Sequence, residues 1–78
     1  MDNEIKKLKK QILSDFAAIV RNRRHELNMT QEELAEKADF HVNYIGGLER
    51  GTRNPSLVSL TILAKALSVS PKDLVPEK

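Results

Sequence analysis

The sequence predicts a single all-α domain, and three observations support that prediction. Apolar residues recur along most of the chain at the three- and four-residue spacing of one helix face. Residues that favour helix N-caps stand before these stretches, and glycine or proline follows them. The chain has 78 residues and no cysteine, so it lies near the lower size limit of domains that fold without disulfides. We therefore expect packed aliphatic side chains, capped helices and a partner subunit to stabilise it.

The first predicted helix is one long element over the N-terminal third of the chain, with a kink or break allowed near Ser14. Ile5, Leu8 and Ile12 recur at helical spacing, and the same face continues from Phe16 onward. The other sides of its first part carry four lysines, namely Lys6, Lys7, Lys9 and Lys10. We favour a solvated helical extension for this segment, with contact to phosphate groups or to a partner as the alternative.

The next predicted helix covers residues 31–38 and opens with a strong start signal. Thr30 can cap its free backbone N–H groups, and Glu33 can reach back to complete a capping box. The chain then turns at residues 39–41, where Phe40 is the expected anchor beneath the corner.

A third helix is predicted from about Val42 to Arg50, with Ile45 and Leu48 turned inward and Gly51 as its C-cap. Together with the preceding helix it spans residues 30–51. Two short helices that cross through a three- or four-residue turn describe a helix-turn-helix. The second helix of such a motif can enter the major groove of DNA.

The C-terminal part predicts a fourth helix and a last helical turn. Residues 54–56, Asn-Pro-Ser, open the fourth helix, and Ser70 opens the last turn, which Pro76 ends. The expected core stripe of the fourth helix is Leu57, Leu60, Leu63, Ala64 and Leu67. The remaining apolar residues are the expected dimer surface: Val58, Ile62, Val69, Leu74 and Val75. The alternative is that some of these five close the core instead.

From about residue 16 to residue 74 the chain resembles the Cro/cI-type (XRE) family of phage and bacterial regulators. The matching segments are TQEELA at 30–35, YI at 44–45, LERG at 48–51, NPSL at 54–57, and the leucines and alanine that follow at Leu60, Leu63, Ala64 and Leu67. Within that family, YIGGLERGTRNPSL most resembles the controller proteins of bacterial restriction–modification systems. For a chain of 78 residues we expect one domain over residues 1–78. The resemblance implies that this domain is a compact five-helix lambda-repressor-like bundle whose first helix is extended at its N-terminus.

The resemblance also implies roles for individual residues outside the third helix, which is the recognition helix of the predicted helix-turn-helix. Arg24 is expected to form a structural ion pair with Glu49 that locks the first helix to the third. Gln31 is expected to contact the DNA backbone from the first turn of the second helix, the alternative being a simple helix former. Asp39 departs from the family, in which most members carry a glycine at a left-handed corner position. Asp tolerates that conformation less well than Gly, so a modest cost in stability is expected.

The first turn of the third helix is expected to meet base edges of DNA. Asn43 can bind adenine through two hydrogen bonds, and Val42 offers a contact to a thymine methyl. Tyr44 can touch the DNA backbone, or alternatively sense the local shape of the groove. Controller proteins often carry arginine where Val42 stands, so a guanine contact is lost there. Gly46 and Gly47 are costly inside a helix. We favour the interpretation that they permit close approach to DNA or to the second helix, over simple loss of side chains.

The loop after the third helix combines arginines with small polar groups that suit phosphate binding. Its candidate DNA-binding residues are Arg50, Thr52, Arg53 and Asn54. The arginine that corresponds to Arg53 in controller proteins contacts DNA, and Arg53 can also reach a guanine edge. The alternative for this segment is an ordinary polar turn.

Composition narrows the function classes further. The formal net charge of +2 suits nucleic-acid binding without requiring it. The two histidines, His25 and His41, are far apart in sequence, so no metal-ligand pair is expected, and neither a cofactor nor an enzymatic activity is indicated. The sequence contains no apolar stretch long enough for a signal peptide or membrane span, so we expect a cytoplasmic protein without membrane contact.

The leading hypothesis is a dimeric, sequence-specific transcription regulator that binds double-stranded DNA at an inverted-repeat operator. The controller resemblance implies control of restriction–modification genes and of its own gene, with activation through contact with RNA polymerase. A phage-type repressor or an antitoxin is the alternative of the same class. A helix-turn-helix module that binds another protein is the alternative from a different class.

Overall fold

A computed structural model describes residues 2–77 and contains four α-helices and one 3₁₀ helix in that range. Their bounds are α1 Asp2–Glu26, α2 Gln31–Ala38, α3 Val42–Arg50, α4 Leu57–Ala66 and the 3₁₀ helix Pro71–Leu74. The all-α class is confirmed for residues 2–77. The prediction of five helices is wrong in number, because the fifth element is a short 3₁₀ helix and not an α-helix. The last element stays at one tight turn, in which the Asp73 amide donates to the Ser70 carbonyl at 2.9 Å.

Helix α1 is continuous over 25 residues, so the break allowed near Ser14 does not occur. The side chain of Asp15 does not start a new helix, because it accepts a hydrogen bond of 2.8 Å from the Gln11 amide one turn earlier. Only the second half of α1 packs into the core, through Phe16, Ala17 and Val20. The first half extends beyond the core as a mostly exposed helix.

The core lies between the second half of α1 and the other helices. Its largest fully buried side chains are Val20, Leu34, Ile45, Leu48, Leu63, Leu67 and Leu74. Leu57 was expected in this core, but 80% of it is exposed. It occupies the first position of α4, directly after the N-cap Ser56, and the buried face of the helix begins only at Leu60.

The corner of the helix-turn-helix has the local geometry that the sequence predicts. Thr30 accepts from the Glu33 amide at 3.0 Å, and the Glu33 carboxylate accepts from the Thr30 amide at 2.8 Å. Asp39 adopts the left-handed conformation, with φ 58° and ψ 43°. This is the corner position at which glycine would adopt that conformation at a lower cost. His41 caps α3, because its Nδ1 accepts from the Asn43 amide at 3.0 Å. These contacts fix the angle at which α3 leaves α2.

Candidate nucleic-acid interface

A buried ion pair ties α3 to α1. The guanidinium of Arg24 donates from Nε and Nη2 to the two carboxylate oxygens of Glu49, at 2.7 and 2.8 Å. Both residues are nearly covered, with 8% of Arg24 and 4% of Glu49 exposed. Arg24 also donates from Nη1 to the Met29 carbonyl at 2.7 Å. The expected pair is thus present as a bidentate salt bridge. The third hydrogen bond of Arg24, to Met29, also holds the loop between α1 and α2.

Two further side chains complete the surroundings of Glu49. The Gln31 amide donates to Glu49 Oε1 at 3.2 Å, and Arg21 donates to the Glu49 backbone carbonyl at 3.0 Å. The phosphate contact of Gln31 remains a prediction, since in this structure its amide points inward to Glu49. Arg21 is exposed, and its side chain holds the last turn of α3 through this bond, a role that was not predicted from the sequence. A basic residue near free helix carbonyls is the signal that could have identified this role.

The pKa of Glu49 reflects opposing effects of its surroundings. Burial acts to raise the pKa, but the hydrogen bonds from Arg24 and Gln31 and the charges of Arg24 and Arg21 outweigh it and hold the pKa below the usual glutamate value. The hydrogen bond to Glu49 in turn raises the pKa of Arg24, against the effect of its burial. Both groups are therefore charged at neutral pH.

The lowered pKa of Glu49 predicts a loss of stability in acid. A carboxylate whose pKa is lower in the folded chain stabilises the fold fully above its unfolded value, about 4.3 for glutamate, and progressively less as pH falls toward the folded value. We expect the difference in unfolding free energy between the wild type and Glu49→Gln to shrink as pH falls below about 4.3. Urea unfolding from pH 7 to pH 3 measures it. A difference that stays constant over this range would contradict the assignment.

The first turn of α3 presents a small group of side chains with unequal exposure. Asn43 is exposed, and its backbone amide is held by His41. Val42 is half-buried and packs against the core cluster. Tyr44 is also half-buried and meets the Phe40 ring edge-on, with 5.2 Å between ring centroids. Asn43 is thus the most accessible side chain of this turn for a base edge.

The two glycines of α3 are covered by arginine side chains of the same chain. A Cβ built on Gly47 would lie 2.4 Å from Cγ of Arg53, and a Cβ on Gly46 would lie 3.0 Å from Nη1 of Arg50. Both glycines are buried beneath these side chains. The missing side chains therefore provide room for the two arginines, a role that the sequence did not reveal. Contact of the glycines with DNA remains a prediction.

Two sets of contacts hold Arg53 across α3, one made by its own guanidinium and one by the preceding residue. Its guanidinium carbon lies 5.0 Å from the centroid of the Tyr44 ring, in a cation–π arrangement. The preceding residue, Thr52, donates from its amide and from its hydroxyl to the Gly47 carbonyl, at 3.0 and 3.1 Å. Thr52 therefore serves to close α3, and Arg53 is brought back over α3, above Gly47 and against Tyr44.

Gly47→Ala is expected to weaken DNA binding about tenfold without weakening the fold, because displacing Arg53 removes a base contact that contributes about 1–3 kcal/mol. The new methyl group occupies the place of the Arg53 stem, so Arg53 must leave its position on Tyr44. Alanine in a helix gains about 1 kcal/mol over glycine, which offsets the lost cation–π contact. Fluorescence anisotropy with operator DNA and thermal unfolding measure the two effects.

The control for this prediction is a double-mutant cycle with Arg53→Ala. Once Arg53 is removed, Gly47→Ala should leave DNA affinity unchanged. An equal loss of affinity in both backgrounds would show that Gly47 does not act through Arg53.

The residues expected at the dimer surface do not all lie at the surface. Val58 and Ile62 are exposed on α4, to 67% and 38%, and Val75 is exposed after the 3₁₀ helix. Val69 is half-buried against the core. Leu74 is 1% exposed, so its assignment to the dimer surface is wrong. The single turn of 3₁₀ helix directs Leu74 inward, where it closes the core.

Residues 2–77 contain neither a membrane-spanning helix nor a metal-ligating cluster. None of the helices in this range is both long and apolar enough to cross a membrane. The same range contains no group of three or more His, Cys, Asp or Glu side chains arranged to hold a metal ion.

A helix-turn-helix family model matches residues 20–74 of this chain. The chain therefore belongs to the helix-turn-helix family, as its Cro/cI-type motifs indicate. The control protein C.BamHI of Bacillus amyloliquefaciens is 54% identical over 48 residues, which are 62% of this chain and 59% of that relative. This chain thus spans less than two thirds of the length of that relative.

Solved structures of restriction–modification controller proteins share the fold. C.AhdI from Aeromonas hydrophila is 40% identical, with a TM-score of 0.78 and coverage of 80% of this chain and 94% of that chain. C.Esp1396I, solved as a tetramer in complex with its natural 35-base-pair operator, is 39% identical, with a TM-score of 0.74. That match covers 80% of this chain and 82% of C.Esp1396I. The chain is thus similar to controller proteins in both sequence and fold.

Proposed function

We propose that this chain is a homodimeric, sequence-specific DNA-binding regulator of restriction–modification genes, including its own gene. The observation that carries the proposal is the placement of Arg53 over α3, with its stem above Gly47 and its guanidinium on the ring of Tyr44, the residue that follows the exposed Asn43. An arginine held over a major-groove helix and an asparagine in the first turn of that helix can bind guanine and adenine through paired hydrogen bonds. The similarity to controller proteins agrees with this assignment.

Backbone contacts would come from the elements that flank the recognition helix. Gln31 at the start of α2, together with Arg50, Thr52 and Asn54 beyond α3, would bind phosphates and fix the protein on the duplex. Most of the affinity would then be electrostatic and would fall steeply with salt, whereas Asn43 and Arg53 would supply the choice of sequence.

The proposed dimer would use the apolar residues that α4 and the C-terminal segment leave exposed. Val58 and Ile62 lie four residues apart on the outer side of α4, and Val75 and the half-buried Val69 follow it in the chain. Two-fold symmetry would place the two copies of α3 at half-sites roughly 10 base pairs apart. The regulator would act in the cytoplasm, and activation of transcription would involve contact with RNA polymerase.

Selection of DNA from a random pool, followed by sequencing and repeated at two salt concentrations, tests the proposal. We expect an inverted repeat with half-sites about one helical turn apart, recovered with lower yield at the higher salt. Occurrence of that repeat upstream of the chain's own gene would support autoregulation. Recovery of no motif, with little DNA retained even at low salt, would contradict the proposal.

A further inference from the structure

The first part of α1 adds a cluster of positive charge to the shared domain. The family model begins at residue 20, and C.AhdI covers only 80% of this chain, whereas α1 begins at Asp2. Four of the 13 Lys and Arg residues lie in the short segment 6–10 of this helix. A chain whose net charge is only +2 thus has a local concentration of basic side chains outside the matched region.

Three of these lysines face the side of α1 on which α3 ends. Lys6, Lys9 and Lys10 lie seven, four and three residues before Leu13, so all four share one face of the helix. A Cβ built on Gly51, the C-cap of α3, would lie 3.5 Å from the Leu13 carbonyl oxygen and 3.6 Å from Cα of Ser14. We define Lys6, Lys9 and Lys10 as the lysine face. It lies on the same side of α1 as the contact with Gly51, and it extends along α1 beyond the C-terminal end of α3.

One residue of the lysine face, Lys9, also borders the loop that leaves α3. Lys9 and Asn54 line one shallow depression together with Ile12 and Leu13. Lys10 lines a second depression with Lys7, Gln11 and Ser14. Lys6, Lys9 and Lys10 are exposed, and none of them forms an ion pair with a described side chain. The lysine face is thus free to bind an anion next to the loop that carries Arg53.

We propose that the lysine face binds phosphates of the DNA backbone beyond the base pairs contacted by α3. The inference rests on the proposed function and extends its footprint. At a rise of 1.5 Å per residue, Lys6 lies about 10 Å along α1 from Leu13, far enough to follow the backbone past the end of α3. Phosphate contacts carry no sequence information, so this surface strengthens binding to every duplex and leaves the choice of sequence to α3.

The test compares a variant of the lysine face with a variant of equal charge. Lys6→Gln, Lys9→Gln and Lys10→Gln are combined in one protein, and Lys37→Gln, Lys65→Gln and Lys72→Gln in the control. Each set changes the formal net charge from +2 to −1. All six lysines are exposed, and Lys37 and Lys65 lie on the α2–α4 side of the domain. Sedimentation of the two variants and the wild type checks that the oligomeric state is unchanged, so that a difference in binding can be assigned to the lysines.

The readout is the slope of log affinity against log salt concentration, measured on the selected DNA fragment and on an unrelated duplex. Each lost phosphate contact reduces the slope by about 0.9, so the lysine-face variant should lose up to about 2.7 per subunit. Affinity for the two duplexes should fall by the same factor. The control variant should keep a slope close to that of the wild type.

The outcomes separate this inference from the proposed function. If the two variants have equal slopes, the lysine face does not contact DNA, and the inference is overturned while specific binding stands. If affinity for the selected fragment falls more than affinity for the unrelated duplex, the lysines contribute to sequence choice, which also overturns it. A wild-type protein that binds neither duplex would refute the proposed function itself.

Discussion

Glu49→Ala should lower the free energy of unfolding by about 3–5 kcal/mol, the usual effect of removing one partner of a buried ion pair. The substitution leaves the Arg24 guanidinium covered and without its carboxylate, and it also removes the acceptor of the Gln31 amide. A domain of this size has only about 4–12 kcal/mol of total stability, so the change takes a large share of it. Urea unfolding at a fixed protein concentration measures the effect.

Two further variants show whether charge burial is the cause. Glu36→Ala removes an exposed glutamate from α2, and its effect should stay within about 0.5 kcal/mol. Arg24→Met combined with Glu49→Leu replaces the pair by apolar groups and should recover most of the stability lost by the single variant. The explanation fails if the double variant is no more stable than Glu49→Ala, because cavity formation or lost packing would then account for the loss.

Arg53→Ala combined with Asn43→Ala should abolish the preference for the operator while leaving thermal stability nearly unchanged. Each well-formed pair of hydrogen bonds to a base contributes about 1–3 kcal/mol of discrimination, so two lost pairs reduce the preference by roughly a hundredfold or more. Both side chains are exposed, and among the described contacts only the cation–π arrangement with Tyr44 is lost from the fold. Competition between the selected fragment and random duplex measures the preference.

The matched control for this variant is Lys72→Ala with Asn22→Ala. It also removes one positive charge and one amide from exposed positions, but on the α1 and 3₁₀ helices rather than near α3. It should keep the preference for the selected fragment. If the Arg53 and Asn43 variant still selects the same sites, base contacts must come from another surface.

The features that the sequence predicts well are those that depend on neighbouring residues. The capping box joins Thr30 and Glu33, which are three positions apart, and the C-cap glycine Gly51 directly follows the last residue of α3. Such contacts form whenever the local backbone has the right angles, so the residue types alone indicate them. The pair of Arg24 with Glu49 spans 25 residues, and it was expected only because the motif resembles that of a known family.

The features that the sequence does not predict depend on tertiary contacts between residues that are far apart in the chain. Leu57 and Leu74 are both leucines in the C-terminal third, yet one is exposed and the other is buried, according to which side of a short helix faces the core. The room that Gly47 leaves for Arg53 requires the loop to fold back over α3. The spacing of residues along a helix does not predict that a loop folds back over the same helix.

The separation between Glu49 and Asn43 on α3 has an evolutionary consequence. Glu49 is covered, and its carboxylate accepts three hydrogen bonds from two side chains, those of Arg24 and Gln31. Asn43 is exposed, and its backbone amide donates a hydrogen bond to the His41 side chain. In the proposed complex, mutations at position 43 would therefore change the preferred operator without disturbing the helices that position this residue. A lineage of such proposed regulators would acquire new target sequences while it inherits an unchanged framework, and neighbouring systems in one cell would not interfere with each other.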